Sequence, residues 1–305
     1  MAAGGAVFWA LALLLPLADA IGHVALVERI IALGPLVVVP LALSATSAPR
    51  PPMWARIGLF FAALCVLVSM LWWPRGQIAA ALVVPWIVAT MALALSAARR
   101  LLARRGVRPL AETCIDAGFI YLPVGALWLA ASRLGFRPMS FSDDIVLLTA
   151  AHFHYAGLAA PVVAGLAGRV LADASVRVRQ AWSASAVLVS LGPPLVAIGI
   201  TWSPLVEVVS AVLLALGMIG LSMLLAFEVS PRIGRVPARA LLVVASGSLV
   251  VTMALACAYA WSQWTGVAIV SIPTMAAVHG VANSIGFALP ALLALDFARG
   301  PAPSR

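Results

Sequence analysis

Apolar runs long enough to cross a bilayer, about 20 residues each, recur from one end of the chain to the other, separated by short loops that carry the arginines. The pattern predicts ten helical spans, at 5–18, 26–44, 55–73, 77–97, 111–131, 142–166, 181–201, 205–228, 238–260 and 273–297. No hydrophilic stretch is long enough for a soluble domain, so residues 1–305 read as a single transmembrane helical domain. Only helices satisfy their backbone in lipid at this spacing. The expected fold class is therefore all-α, a polytopic bundle of about ten spans. The first run is followed by Ala18-Asp19-Ala20, which has the form of a signal-peptide cleavage site. No positive segment precedes it, so a retained helix is expected; cleavage would leave nine spans.

Composition sharpens the picture. Hydrophobic residues make up 64% of the 305 and charged residues 10%, and mean hydropathy is +1.11. The net charge of +9 is carried by arginine alone, since there is no lysine. Fifteen of the 19 arginines fall on one set of loops and ends, around Arg50, Arg99–Arg108, Arg169–Arg179, Arg232–Arg239 and Arg299. Only Arg29, Arg75, Arg133 and Arg137 fall on the other. Positive charge stays on the cytoplasmic side, which places both termini in the cytoplasm of a bacterial inner membrane. Anionic headgroups account for the basic balance, and no basic patch interleaves with aromatics as nucleic-acid binding requires. Cys65, Cys114 and Cys257 are scattered and show no metal-ligand spacing; they read as packed small hydrophobes.

Ionisable groups at membrane depth are expensive and mark working centres. Three histidines qualify: His152 and His154 in AAHFHYAGLAA, and His279 in MAAVHGVANSIGF. Entering after Ser142 and Asp143, either of which can cap the helix, the sixth span carries His154 roughly 18 Å deep. His152 lies two residues earlier, about 200° away around the helix, so the pair cannot serve one metal from one face. In the tenth span His279 and Asn283 share a face at i, i+4, beside Gly280, Ser284 and Gly286. Small residues at 156, 157, 159 and 160 allow close helix approach. Among the acids, Glu28 stands at the start of an apolar run, with Arg29 as a neighbouring partner, and Asp116 follows Glu112 by one turn, with Arg108 in reach. Glu207, Glu228 and Asp296 sit near span ends, where solvation or pairing explains them. Tyr121 and Trp128 lie farther along the fifth span. Each of these polar groups also has a plain packing role, as an interhelical hydrogen-bond partner.

Four stretches carry a family resemblance: YLPVGALWLAASRLGFRP, FSDDIVLLTAAHFHYAGLAAPVVAGL, VERIIALGPLVVVPLAL and VHGVANSIGF. They resemble the YndJ-like family of bacterial membrane proteins, over most of the chain. The resemblance implies a membrane bundle with a site on His152, His154, His279 and Asn283. Some family names imply transport of an unspecified substrate, and some larger members continue beyond the bundle. The H-x-H helix is also similar to that of haem–copper-type membrane proteins, where imidazoles ligate the metal. No c-type haem motif is present, and no cofactor is expected.

Two function classes follow. In the first, an intramembrane enzyme uses His154, His279, Asp116 and Glu28 for acid–base chemistry of the isomerisation or cyclisation type. Its substrate is lipophilic, of isoprenoid-like character, and lies against His152, Asn283, Tyr121 and Trp128. In the second, the same groups couple protons to a transporter or permease; absent internal repeats count against that reading. A haem or metal protein is the third alternative. One polar cavity shared by His154 and His279 is expected under either of the first two.

Overall fold

A computed structural model describes residues 1–46 and 51–298. Arg50, Arg299 and Arg305, which enter the arginine distribution, lie outside the described residues. Every regular element among those described is helical. Among the described residues nine helices are long and apolar enough to cross a membrane: α2 (Gly22–Thr46), α3 (Met53–Trp72), α4 (Gln77–Ala103), α5 (Leu110–Leu134), α6 (Asp143–Val170), α7 (Val176–Trp202), α8 (Pro204–Arg232), α9 (Val236–Thr265) and α10 (Ile272–Ala298). The span expected at 5–18 is a 12-residue helix, α1 (Ala2–Leu13). At 1.5 Å per residue it covers about 18 Å, short of the hydrocarbon core.

Local chemistry explains where these helices begin and bend. Ser142, Ser175, Ser203 and Ser271 each accept a hydrogen bond from the backbone three residues on, capping α6, α7, α8 and α10. In α2, Pro35 lacks an N–H, and the helix widens to a π turn over Gly34–Val38. The Gly34 N–H bonds Ile31 O, and the Ile30 carbonyl accepts from the Tyr155 hydroxyl at 2.6 Å instead. A side chain on another helix thus satisfies the carbonyl that the widened turn leaves open. Further π turns occupy Tyr155–Ala159, Leu225–Val229, Met275–Gly280 and Ala282–Ala288.

The helices group into two compact units. Unit 1 comprises Met1–Arg105 and Phe119–Leu158, hence α1 to α4 with the second half of α5 and the first half of α6. Its core is centred on α2, which is buried almost throughout, and on Trp86 and Arg133, the bulkiest fully buried side chains. Unit 2 comprises Gly106–Gly118 and Ala159–Arg305. Here small residues let helices meet closely: a Cβ on Gly168 would overlap the Trp182 ring, and one on Gly165 would overlap Ala111 O.

Candidate functional site

Arg133 is the residue around which unit 1 is built. It lies one residue from the end of α5, is fully buried, and has all five guanidinium N–H groups directed at acceptors. Nε donates to Ser69 Oγ at 3.3 Å. One terminal nitrogen donates to Glu28 Oε1 at 2.9 Å and Asp19 Oδ1 at 3.4 Å. The other donates to the carbonyls of Ser69 at 2.8 Å and Trp73 at 2.5 Å. The Ser69 hydroxyl in turn donates a hydrogen bond to Ala79 O on α4 at 2.7 Å. A single side chain thereby ties the α1–α2 loop, α2, α3 and α5 together, with α4 held through Ser69.

The lattice extends outward from that core. The Arg75 backbone N–H donates to Asp19 Oδ2 at 2.7 Å, and its guanidinium stands 3.8 Å from Asp143. Arg137 grips Asp143 through two bonds of 2.8 and 2.7 Å, which push its guanidinium above its ordinary range. His23 meets Asp144 at 3.0 Å. Arg29 donates to Leu15 O, and the Trp9 indole donates to Arg29 O. Three arginines of the arginine-poor side, Arg75, Arg133 and Arg137, thus stand with three acids, Asp19, Glu28 and Asp143, while Asp144 pairs with His23 and Arg29 bonds a carbonyl. Glu28 is fully buried, about 9 Å along α2 by helical rise. Its Oε1 is bonded to Arg133, while its Oε2 has no hydrogen-bond partner. The expected neighbour, Arg29, is not its partner; Arg133, 105 residues away, is.

His154 lies deeper in the same unit. Its Nδ1 is 2.7 Å from Ala150 O, and its Nε2 is 3.0 Å from the Trp86 indole nitrogen. A carbonyl only accepts and an indole only donates, so Nδ1 carries the proton and Nε2 the lone pair. The geometry defines a neutral imidazole with both nitrogens engaged. Gly125 of α5 and Gly34 of α2 make the room: a Cβ on Gly125 would sit 2.8 Å from Nδ1, and one on Gly34 3.3 Å from the ring. Tyr121 packs edge-on against Phe153, centroids 6.5 Å apart. His152 is exposed on the other side of α6, its Nδ1 bonded to its own Leu148 O at 2.8 Å. Trp128 lies against Phe141. It also lines an open apolar groove of about 620 Å³ with Gln77, Ala81, Val84, Leu134 and Phe136.

Unit 2 holds the remaining candidates. His279 Nδ1 is 2.9 Å from Thr252 O on α9. Asn283 donates to His279 O at 3.0 Å and accepts from the Thr252 hydroxyl at 3.2 Å. This half-buried cluster sits where π turns widen α10 and where Gly286 lets Ser248 approach. Asp116 is buried in unit 2. Glu112, its neighbour one turn back, pairs bidentately with Arg169 at 2.7 and 2.8 Å.

Unit 1 therefore holds Glu28, Tyr121, Trp128, His152 and His154, and unit 2 holds Asp116, His279 and Asn283, of which His279 and Asn283 are bonded to each other. His154 and His279 belong to different units, each with hydrogen-bond partners in its own. Among the described residues no three His, Cys, Asp or Glu side chains cluster as metal ligands. Sequence reasoning left out Arg133 and Trp86. The available signal for Arg133 was its place in LWLAASRL, inside the continuing apolar helix rather than after it.

Nine bilayer-length helices, with charge buried in a lattice among their ends, define a polytopic helical membrane protein. The chain belongs to the YndJ-like family, whose description, YndJ-like protein, matches residues 29–287. That stretch includes Arg133, His154, His279 and Asn283; Glu28 lies immediately before it. The chain is 33% identical over 182 residues to the uncharacterized membrane protein YndJ of Bacillus subtilis (strain 168). The match covers 60% of this chain and 32% of that protein, so the chain spans about a third of that relative's length. No solved structure matches the chain.

Proposed function

We propose that this protein is a small-molecule permease of the bacterial cytoplasmic membrane. In this reading the C-terminus is cytoplasmic, the nine spans leave the N-terminal α1 on the outer side, and the Arg133 lattice is a gate at the outer end. The observation that carries it is the fully buried Arg133–Glu28 pair. Burying two charges costs several kcal/mol per ion, and such pairs are often no more stabilising than apolar residues of equal shape. Stability alone is a poor reason to keep one. A lattice whose partners come from separate helices and loops exists in one packing only, and its rupture frees the helix ends together. That is the property a gate needs. The scarcity of arginine on this side supports its facing outward.

The His154 geometry weighs in the same direction. The His154 partners, an indole N–H and a backbone carbonyl, neither take nor supply a proton, which counts against His154 as an acid–base catalyst. A second reading, an intramembrane isomerase or cyclase, is favoured by the groove beside Trp128, whose apolar lining suits a lipophilic, isoprenoid-like molecule. Metabolite profiling of cells and medium, with and without the gene, separates the two. The permease reading expects unchanged molecules to shift between cell and medium. A product with an altered skeleton would favour the enzyme.

A further inference from the structure

We infer that the gate is worked by a proton on Glu28, an inference that rests on the permease reading above. Glu28 combines three features: its carboxylate is fully buried, Oε1 is committed to Arg133, and Oε2 is buried with no hydrogen-bond partner. An ionised carboxylate with an idle buried oxygen lacks half of its ordinary solvation. A proton from the aqueous phase that binds Oε2 forms an O–H bond and neutralises Glu28. The ionic part of its tie to Arg133 is then lost. Arg133 keeps Asp19, whose side chain is 25% exposed and already shared with Arg75. Its four neutral or weaker acceptors hold an arginine whose buried counter-charge is gone, and α2 is released from α5. Loss of the proton restores the pair and closes the gate. A metal cation is a poor alternative, because the Arg133 charge stands 2.9 Å from the same carboxylate and no three His, Cys, Asp or Glu side chains cluster among the described residues to complete a ligand set.

The groups facing Glu28 are few enough to separate. Arg133 on α5 and Arg75 in the α3–α4 loop attract it, and Asp19 in the α1–α2 loop repels it. Arg29 and His23 share its own helix. From α6 come Asp143 and Asp144, held by Arg137 and His23, together with His152 and the neutral His154. α3 offers Ser69, and α1 has no titratable side chain. His23, which meets Asp144 at the edge of this lattice, is the histidine to replace as a control.

The test places a cysteine at buried Ala32, one turn below Glu28, in reconstituted full-length protein lacking Cys65, Cys114 and Cys257. The probe is a charged, membrane-impermeant thiol reagent added from outside. Labelling is normalised to a cysteine at exposed Ser140, which removes the pH dependence of the thiol itself. The normalised rate should rise about tenfold or more between pH 8 and pH 5, the span of a single titrating group that shifts a two-state balance. Glu28→Gln, which imitates the protonated acid, should label fast at both pH values, Glu28→Asp should still respond, and His23→Asn should behave as wild type. A rate independent of pH, or a pH response that survives in Glu28→Gln, overturns the proton on Glu28 and leaves the gate standing. Protection of the Ala32 cysteine at every pH, while solute still moves, removes the gate and the proton with it.

Discussion

Replacing Glu28 and Arg133 singly and together measures what the buried pair does for the fold. Glu28→Leu leaves Arg133 buried with a weakened counter-charge. Removing one partner of a buried ion pair costs about 3–5 kcal/mol. Because Asp19 remains 3.4 Å from Arg133, the lower end, about 3 kcal/mol, is expected. Arg133→Met is harsher. It strands Glu28 with no opposite charge in contact and removes the donor to the Ser69 and Trp73 carbonyls, so about 4–5 kcal/mol is expected. In Glu28→Leu/Arg133→Met no fully buried charge is stranded; the two carbonyls and Ser69 Oγ lose a donor, and the part-exposed Asp19 keeps Arg75. The double variant should then be no worse than Arg133→Met alone, giving a coupling of about 3 kcal/mol against the sum of the singles. Reversible denaturant unfolding in mixed micelles reads all three. Singles that add to within about 0.5 kcal/mol would refute the claim that these two charges act as one buried unit. A double variant that folds but moves no solute would separate the gating role from the structural one.

Three further outcomes are expected. Trp86→Phe should cost about 1–3 kcal/mol by leaving His154 Nε2 buried without a donor, and nitrogen NMR of the wild type at pH 6 should show the neutral Nδ1–H tautomer; an imidazolium signal there would contradict the assignment. Labelling from outside in sealed cells should reach a cysteine at Ser140 and miss one at Arg104, and labelling at Arg104 would reverse the proposed orientation. Purified protein should show no Soret band and no stoichiometric copper, because both His154 nitrogens are engaged and His152 points away from it; one haem or metal per chain, lost on His152→Ala, would make the metal reading the leading one.

The periodic information in the sequence was enough for most of the scaffold. Hydropathy placed nine spans, and the expectation of a helical membrane bundle stands in the structure. The segment at 5–18 failed as a span because Pro16 and the Asp19 region end its helix at Leu13, after barely three turns. Pairing was the unreadable part. Arg133 appeared to follow the fifth span because a charge conventionally closes an apolar run, yet the helix continues to Leu134 and buries it. Its partner Glu28 is 105 residues away and Trp86 is 68 residues from His154. No periodicity encodes such distances. The opposite directions of His152 and His154 were legible, since two residues of helix fix that angle. Which of the two faced the core was not, because it depends on Gly34 and Gly125 arriving from other helices.

A redox lock across the gate tests the central claim most directly. Ala18 and Met70 are joined by a backbone hydrogen bond of 3.1 Å beside the Arg133 lattice, so cysteines at both positions, in protein lacking the native three, would bridge the α1–α2 loop to α3. In membrane vesicles, oxidation should stop the movement of every metabolite the protein shifts across the membrane, and a reductant should restore it. Equal movement in the oxidised and reduced states, or a chemically altered product formed at the same rate in both, would contradict the gate.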